Sequence, residues 1–390
     1  MSGRGLHVGL NLIFLVPGES GGMEIAAREL IPALVAAAPE VRFTAFINRE
    51  AAAAADGPWG QLLAAVTVPV RASNRLEWVR GEQALLPVAA RRAGVDVLHS
   101  LASTAPGWGR FARVTTIYDL IYRRFPDAHA GILDLGMRVL VPLAARRSRR
   151  LIVSSASTRR DLVELLGIDE RRIDLVPLGV ARVGGAGGPV SAAGAEALDE
   201  AQTRARFDLG ERRVLLSLSA KRPHKNLAAL LGALAMIEAE RRPVLVLAGY
   251  HTDYEAELRE RARSLGLEDD VRFEGWLSAS EVEGLWALTE AFVFPSLYEG
   301  FGLPVLEAMA RGVAVACADA SSLPEVAGEA AILFDPGDER AIAAAITRLL
   351  EDPRERERLR VAGRAQAARF TWERAAQGTL ASYRRALGAP

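Results

Sequence analysis

Residues 296–310 read SLYEGFGLPVLEAMA, with two carboxylates eight positions apart on either side of a Gly-Phe-Gly turn. Pro304 suits the first turn of a helix, and Gly312 suits the position just beyond a helix end. The pattern therefore predicts a helix between these two residues. Glu299 is expected in the loop before this helix, and Glu307 is expected one full turn inside it.

The Gly-Phe-Gly turn places main-chain N–H groups beside the positive end of the predicted helix. Phe301, Gly302 and Leu303 offer these groups with little side-chain obstruction. Such a helix start favours the phosphates or hydroxyls of a ligand. For an isolated pair of glutamates, a solvated helix end that carries acids is the better explanation. The combination of both features indicates a ligand site.

The composition allows two globular domains. The chain has 390 residues, of which half are hydrophobic and a quarter are charged, and its formal net charge is zero. A neutral chain has no general basic field for binding nucleic acid. Cys317 is the one cysteine, which excludes a disulfide framework and fits a reducing compartment. No apolar run is long enough to span a membrane, so we expect a cytoplasmic protein.

Short apolar runs alternate with amphipathic helical segments, which is typical of parallel sheets flanked by helices. A stretch rich in Gly, Ala and Ser separates two such series. The pattern predicts an α/β protein with two doubly wound, Rossmann-like domains over 1–182 and 206–371, joined by a linker over 183–205. The predicted strands are Val8–Val16, Val41–Ile47, Val95–His99, Val114–Tyr118, Leu151–Ser154, Val214–Leu218, Val244–Ala248, Val271–Phe273, Ala291–Phe294 and Val313–Ala316.

A basic loop follows the strand predicted to end at Leu218. It reads SAKRPHKN over 219–226 and contains Lys221, Arg222 and Lys225. Charge-assisted hydrogen bonds to a phosphate contribute about 1.5–3 kcal/mol each. The loop therefore predicts a diphosphate site, with a solvated basic loop as the alternative.

Two segments of the N-terminal half are further candidates for ligand contacts. The glycine pair Gly21-Gly22 allows close approach of a ligand to the main chain, or simply forms a tight turn. Tyr118 and Asp119 end a predicted strand, where Tyr118 is either a ligand contact or a packed aromatic residue. His99 ends another predicted strand and is either structural or directed towards a ligand.

The Glu299-x7-Glu307 motif, with the residues that flank it, resembles the signature of the retaining family-4 glycosyltransferases of GT-B fold. Further matches extend from Gly21 to the last segment of the chain. The resemblance implies two Rossmann-like domains that face a cleft. The N-terminal domain would bind the acceptor and the C-terminal domain the nucleotide-sugar. It also implies that a final helix within 372–390 returns to the N-terminal domain.

The resemblance assigns roles to individual residues. Lys225 matches the lysine that binds the nucleotide diphosphate. The family often has an arginine where this chain has Ser219, which leaves Lys221 or Arg222 as the second phosphate cation. The remaining donor contacts implied are Gly22 at the phosphates, the main chain of Leu277 at the base, Glu307 at the ribose, and Glu299 at the sugar together with the N–H groups of Phe301, Gly302 and Leu303.

Tyr118 departs from the family pattern. The family frequently has His-Asp where this chain has Tyr118-Asp119, with the histidine at the reacting centre. A phenol forms hydrogen bonds with hydroxyls but is a poor general base near neutral pH. Glu299, Lys225, Tyr118 and Asp119 are the predicted catalytic residues. No histidine spacing or Asp-x-Asp motif indicates a metal, so we expect a metal-independent reaction without a cofactor other than the donor.

The function implied is transfer of a mannose- or glucose-type hexose from a nucleotide-diphospho-sugar to a hydroxyl, with retention of configuration. The acceptor would be a glycan or a lipid-linked saccharide. A GT-B protein that binds a nucleotide-sugar without transferase activity and a nucleotide-sugar epimerase are the alternatives. Peripheral membrane contact would use a basic patch formed by Arg123, Arg124, Arg138 and Arg146–Arg150. Nucleic acid is not an expected partner, and the missing G-x-G-x-x-G motif disfavours a dehydrogenase.

Overall fold

The computed structural model describes residues 5–54, 57–126, 132–181 and 197–388. The chain forms two compact units. The N-terminal unit contains Met1–Gly179 and Phe370–Pro390, and the C-terminal unit contains Val180–Arg369.

The N-terminal unit is built on a parallel sheet. Within the described residues the sheet has seven strands in the order β3-β2-β1-β4-β5-β6-β7. The inner strand β1 is buried along its whole length, because helices cover both faces of such a sheet. The strands are β1 His7–Asn11, β2 Arg42–Ile47, β3 Ala64–Thr67, β4 Val97–Ser100, β5 Ala112–Thr116, β6 Arg150–Val153 and β7 Ile173–Leu175.

The helices of this unit connect successive strands. One π-helical turn, Gly81–Leu85, joins the fourth helix to the fifth. The helices are α1 Gly21–Ala37, α2 Arg49–Ala54, α3 Pro58–Gln61, α4 Arg75–Arg80, α5 Leu86–Ala93, α6 Ile121–Arg124, α7 Ile132–Arg147 and α8 Ala156–Leu166, with a last helix, Trp372–Ala386, from the end of the chain.

The C-terminal unit has a second parallel sheet. Its described part has six strands in the order β10-β9-β8-β11-β12-β13. The strands are β8 Val214–Leu218, β9 Val244–Ala248, β10 Val271–Glu274, β11 Thr289–Phe294, β12 Ala314–Ala318 and β13 Ala331–Phe334. The helices are α9 Glu200–Arg206, α10 Leu227–Ala235, α11 Tyr254–Ser264, α12 Ala279–Leu288, α13 Leu303–Ala310, α14 Leu323–Ala327, α15 Glu339–Glu351 and α16 Pro353–Ala367. The helix Trp372–Ala386 of the N-terminal unit is α17.

The two sheets confirm the predicted α/β class with two doubly wound domains. β8 and β9 match their predicted bounds, because their buried apolar runs are continuous. β3, β7 and β13, which are edge strands, were not predicted from the sequence. β3 has no buried residue and β7 has only three residues, so neither has the long buried run of the strands that were predicted.

The first predicted strand is too long. β1 ends at Asn11 rather than at Val16, because side-chain amides replace strand partners for the main chain beyond it. The Asn11 side chain accepts the N–H of Ile13 at 3.3 Å. The Asn48 amide donates to the carbonyls of Ile13 and Leu15 at 3.0 and 2.6 Å. The apolar run therefore continues as a buried turn.

Most of the predicted linker over 183–205 lies outside the described residues. Its last part differs from the prediction because it forms α9 in the C-terminal unit. Asp199 and Gln202 form a reciprocal capping box at the start of this helix. The signal for a helix was therefore present in the sequence within a region of linker composition.

The last helix, α17, packs in the N-terminal unit. Tyr383 is fully buried there, and its hydroxyl lies 2.8 Å from Nδ1 of His99. Arg149 donates to the carbonyl of Ala386 at 3.1 Å. Among the described residues, no helix is long and apolar enough to cross a membrane.

Candidate functional site

Lys225 and Glu299 form an ion pair at the carboxyl ends of β8 and β11. They are 74 positions apart in the sequence, and Lys225 Nζ donates to Glu299 Oε1 at 2.5 Å. The side chains are 16% and 13% exposed, so the pair is partly shielded from water. The ammonium also lies 5.7 Å from the ring centre of Phe294. The fold thus places one cation and one carboxylate of the predicted site in direct contact.

Two serines after β12 hold the main chain at Glu299. Ser321 Oγ accepts the N–H of Glu299 at 2.8 Å, and Ser321 has a left-handed φ of 54°. Ser322 Oγ lies 2.9 Å from the carbonyls of both Glu299 and Phe301. These serines were not predicted from the sequence, because they lie 22 and 23 positions from Glu299 and only the fold brings them to it.

The helix predicted from the opening motif is α13. It begins at Leu303, one residue before the proline, and it ends at Ala310, so Glu307 lies one turn inside it as predicted. Gly302 precedes the helix with a φ of 106°, and a Cβ atom there would lie 2.7 Å from Leu323 Cδ2. A glycine is therefore required here by both the backbone conformation and the available space.

Glu307 is half-buried on α13. Burial raises the pKa of its carboxyl group, the charge of Arg311 opposes this shift, and the charge of Glu283 adds to it. Arg311 itself pairs with Glu283, with its Nε 3.1 Å from Glu283 Oε2. The guanidinium of Arg311 is thus shared between Glu283 and the neighbourhood of Glu307.

Lys221 is enclosed within the C-terminal unit. Its ammonium donates to the carbonyls of Gly249 and Glu274 at 2.8 and 2.5 Å, and it lies 3.6 Å from Glu255. Burial lowers the pKa of Lys221, and the charge of Glu255 opposes this shift. Its side chain is fully buried, whereas Arg222 is half-buried. Ser219 is also half-buried, and its N–H donates to the carbonyl of Ala248 at 2.9 Å.

Leu277 follows β10, and its side chain is buried. The residue before it, Trp276, is 59% exposed and stacks on Tyr250 with ring centres 4.7 Å apart. Each ring directly follows a glycine at the end of its strand. This aromatic pair was not predicted from the sequence, and it forms an apolar surface beside Leu277.

Gly22, Tyr118 and Asp119 lie in the N-terminal unit. Gly22 belongs to the first turn of α1 rather than to a loop before it, and it is exposed. Tyr118 is half-buried, and burial raises the pKa of its phenol. Asp119 Oδ1 accepts the N–H of Ile121 at 3.0 Å, at the start of α6. His99 is fully buried between Tyr383 and Thr116, and burial lowers its pKa to about 3.

A buried carboxylate at this edge of the sheet was not identified from the sequence. Glu82, on the π-helical turn, accepts hydrogen bonds from Thr104 Oγ1 at 2.8 Å and from Asn11 Nδ2 at 3.4 Å. Burial raises the pKa of Glu82 to about 7, and these hydrogen bonds oppose the shift. The cluster ties the end of β1 to the loop after β4.

Within the described ranges, no group of three or more His, Cys, Asp and Glu side chains is arranged to hold a metal ion. Metal independence nevertheless stays a prediction, because it concerns the reaction rather than the resting arrangement of side chains.

Comparisons with known proteins cover both units. Residues 199–366 match the family described as "Glycosyl transferases group 1", and residues 20–182 match "Glycosyltransferase Family 4". The chain is 31% identical to O-antigen chain mannosyltransferase B of Escherichia coli, over 70% of each protein. It is 30% identical to MMP alpha-(1->4)-mannosyltransferase of Mycolicibacterium hassiacum, over 77% of this chain and 73% of that protein.

A solved structure agrees with the fold. The crystal structure of Anabaena HepE in complex with UDP-glucose has a TM-score of 0.71 and 20% sequence identity. The match covers 97% of this chain and all of HepE.

Proposed function

Because the chain belongs to the family-4 glycosyltransferases of GT-B fold, we propose that it transfers a mannose- or glucose-type hexose from a nucleotide-diphospho-sugar to a hydroxyl group with retention of configuration. The observation that carries the proposal is the Lys225–Glu299 pair in front of α13. It combines a cation for a departing diphosphate with a carboxylate for a sugar that becomes positively charged. The relatives that are mannosyltransferases support a hexose, and the HepE complex supports a nucleotide-sugar donor.

The leaving diphosphate is stabilised by cations rather than by a metal in this proposal. Lys225 carries the first charge, and its ammonium exchanges Glu299 for a phosphate oxygen. Arg222 is the better second cation, because the donors of Lys221 are already directed at main-chain carbonyls. Preorganised charges of this kind supply a large part of many enzymatic rate enhancements.

The rest of the donor extends across the head of α13 in this proposal. The first N–H groups of a helix have no intrahelical acceptor, so the N–H of Leu303, at the start of α13, suits a sugar or phosphate oxygen. The main chain of Phe301 and Gly302, directly before the helix, provides the other donor contacts of this proposal. Glu307 accepts hydrogen bonds from the ribose, which would supply the donors that its raised pKa calls for. Leu277 contacts the base through its main chain, next to the rings of Trp276 and Tyr250.

The acceptor is assigned to the N-terminal unit. Tyr118 stays protonated because burial raises the pKa of its phenol, so it donates a hydrogen bond and does not act as a base. Asp119 holds the backbone after Tyr118 through Ile121, and Gly22 leaves room for a ligand at the start of α1. We propose front-face attack by the acceptor hydroxyl. Isolation of a covalent glycosyl-enzyme would contradict that mechanism.

Peripheral membrane contact through the basic patch would suit a lipid-linked acceptor, and a cytoplasmic location fits the buried Cys317 thiol. Part of the predicted patch is neutralised, because Arg124 pairs with Asp161 and Arg150 with Asp174. On α7, the side chains of Arg138, Arg146 and Arg147 are exposed to solvent. We therefore restrict the membrane proposal to the exposed face of α7.

The first experiment is a thermal-shift panel of uridine, guanosine and adenosine diphosphate sugars on wild type and Glu307→Ala, with and without EDTA. A ligand at a hundredfold excess over its Kd stabilises the native state by about 2.7 kcal/mol. We expect one nucleotide class to stabilise the wild type with EDTA present and to lose this effect in the variant. A panel without any stabilising nucleotide would argue against the site.

Turnover then separates the alternatives. The donor that binds is incubated with and without hydroxyl acceptors, and the anomeric configuration of the product is read by NMR. Sugar interconversion without an acceptor would indicate an epimerase. Donor binding without turnover on any acceptor would favour the binding protein, and an inverted product would contradict retention.

A further inference from the structure

A groove of about 460 Å³ lies at the amino-terminal edge of the sheet in the N-terminal unit. Its walls come from the residues around the starts of β4, β5 and β6 and from the end of α17. Tyr118 follows the opposite, carboxyl end of β5. The groove is therefore separate from the acceptor side described above, and neither the predicted donor residues nor the predicted catalytic residues line it.

Three arginines and one carboxylate line this groove: Arg110, Arg113, Arg149 and Asp96. Arg113 donates through Nε to the carbonyl of Arg147 at 2.9 Å and through Nη1 to the carbonyl of Gly109 at 3.3 Å. Arg149 donates to the carbonyl of Ala386. These neutral acceptors orient the guanidinium groups without cancelling their charge.

The charge of the groove is not balanced by nearby acids. In the part of the chain that the structure describes, none of the three arginines pairs with a carboxylate, and Arg110 makes no hydrogen bond. Asp96 accepts the N–H of His7 at 2.9 Å from Oδ2 and keeps its negative charge, so three cations face one anion in the groove. The neighbouring Arg150, by contrast, pairs with Asp174. An excess of fixed positive charge is thus confined to one concave surface.

The surroundings of Arg113 also favour a bound anion. Burial lowers the pKa of its guanidinium, and the charges of Arg147 and Arg149 lower it further. Positive groups repel one another at this site, so a bound anion would relieve the repulsion. Leu387 lines the same groove and is 44% exposed, which adds an apolar surface beside the cations.

We infer that this groove binds a phosphate group, held by Arg110, Arg113 and Arg149. The planar guanidinium group matches the oxygens of phosphate, and a tetrahedral dianion contacts several such groups at once. The phosphate belongs either to a lipid headgroup at a membrane surface or to a soluble phosphorylated molecule. The site is independent of the donor site, so either inference stands if the other fails.

Calorimetric titration of the full chain with inorganic pyrophosphate tests the site. The titration is done on Lys225→Gln, which removes the main phosphate ligand of the donor site. We expect this protein to bind pyrophosphate, and Arg110→Gln or Arg113→Gln in the same background to weaken binding about tenfold or more. Arg160→Gln is the matched control, because Arg160 is exposed on α8 and does not line the groove.

Arg110→Gln keeps the test valid if Arg113→Gln fails to fold, since Arg110 makes no described hydrogen bond and its loss leaves no partner unpaired. Thermal midpoints of all variants check that the fold is intact. Equal pyrophosphate affinity in the control and in both groove variants would overturn the inference. So would a failure of the Lys225→Gln protein to bind pyrophosphate.

Vesicle flotation identifies the source of the phosphate. Vesicles of phosphatidylcholine with phosphatidic acid are compared with vesicles of phosphatidylcholine alone. Binding that requires phosphatidic acid and is lost in Arg110→Gln supports a lipid phosphate. Pyrophosphate binding without such flotation supports a soluble ligand.

Discussion

Replacing Glu299 by Gln should tighten the binding of a nucleoside diphosphate while it slows sugar transfer. In the unliganded protein, Glu299 holds the Lys225 ammonium at 2.5 Å. A diphosphate that uses Lys225 must displace this carboxylate and then lies beside its negative charge. Glutamine has nearly the same shape without the charge, so the substitution removes both penalties.

The size of the effect follows from the geometry of the pair. Two unit charges about 4 Å apart interact by about 4 kcal/mol at an effective dielectric constant of about 20. Both side chains keep some solvent contact, at 16% and 13% exposure, and the glutamine oxygen still accepts a hydrogen bond. We therefore expect a net gain of about 1–2 kcal/mol, which is a five- to thirtyfold lower Kd.

Calorimetry with the nucleoside diphosphate that the thermal-shift panel selects measures this change. Lys225→Gln should have the opposite effect and weaken binding about tenfold to 150-fold, since it removes charge-assisted hydrogen bonds. Glu329→Gln is the control, because it removes the same charge from an exposed position outside the site. Weaker binding by Glu299→Gln would refute the reasoning, since the carboxylate would then assist the diphosphate rather than compete with it.

Three further predictions follow from the same geometry. Gly302→Ala should lower the free energy of unfolding by about 1–3 kcal/mol in denaturant titrations and abolish donor binding, because the φ of residue 302 is 106° and a Cβ atom there would contact Leu323. Gly210→Ala is the control and should retain donor binding, since residue 210 has a φ of 54° and open space around it. Ser322→Ala should reduce the rate of transfer more than Ser264→Ala, because it releases the carbonyls of Glu299 and Phe301, and equal rates would contradict this. Glu82→Gln should stabilise the protein by about 1–3 kcal/mol above pH 7 and by nothing below pH 4.5, as measured by thermal midpoints. The reason is that the folded protein keeps the Glu82 proton up to a pKa of about 7, whereas the unfolded chain releases it near 4.5. A stabilisation that does not depend on pH would contradict the raised pKa of Glu82.

The sequence predicted those parts of the fold that depend on continuous patterns. The buried strands β8 and β9 and the helix α13 have a local signature in apolar runs, a proline and glycines. The edge strands β3 and β13 also have apolar residues, but each has only four residues and is largely half-exposed or exposed, so its short run did not stand out from the segments beside it.

The candidate site was also predicted only in part, where its residues belong to local motifs. The pair of glutamates and Lys225 were visible as local motifs, but their contact depends on the return of β11 beside β8. Lys221 and Arg222 are adjacent in the sequence and could not be ranked from it. Only the carbonyls of Gly249 and Glu274, contributed by two other strand ends, distinguish the enclosed cation from its neighbour. The serines that hold Glu299 could not be predicted for the same reason, because their contacts with it join separate segments of the chain.

The placement of α17 affects the order in which the protein folds during synthesis. The N-terminal unit is made first, but it needs Phe370–Pro390 to cover the buried surface around His99. All residues of the C-terminal unit, Val180–Arg369, leave the ribosome before that last segment does. Domains usually fold in the order of synthesis. Here the N-terminal unit cannot bury the surface around His99 until every residue of the C-terminal unit has been made, so its last packing step comes after the synthesis of the second unit.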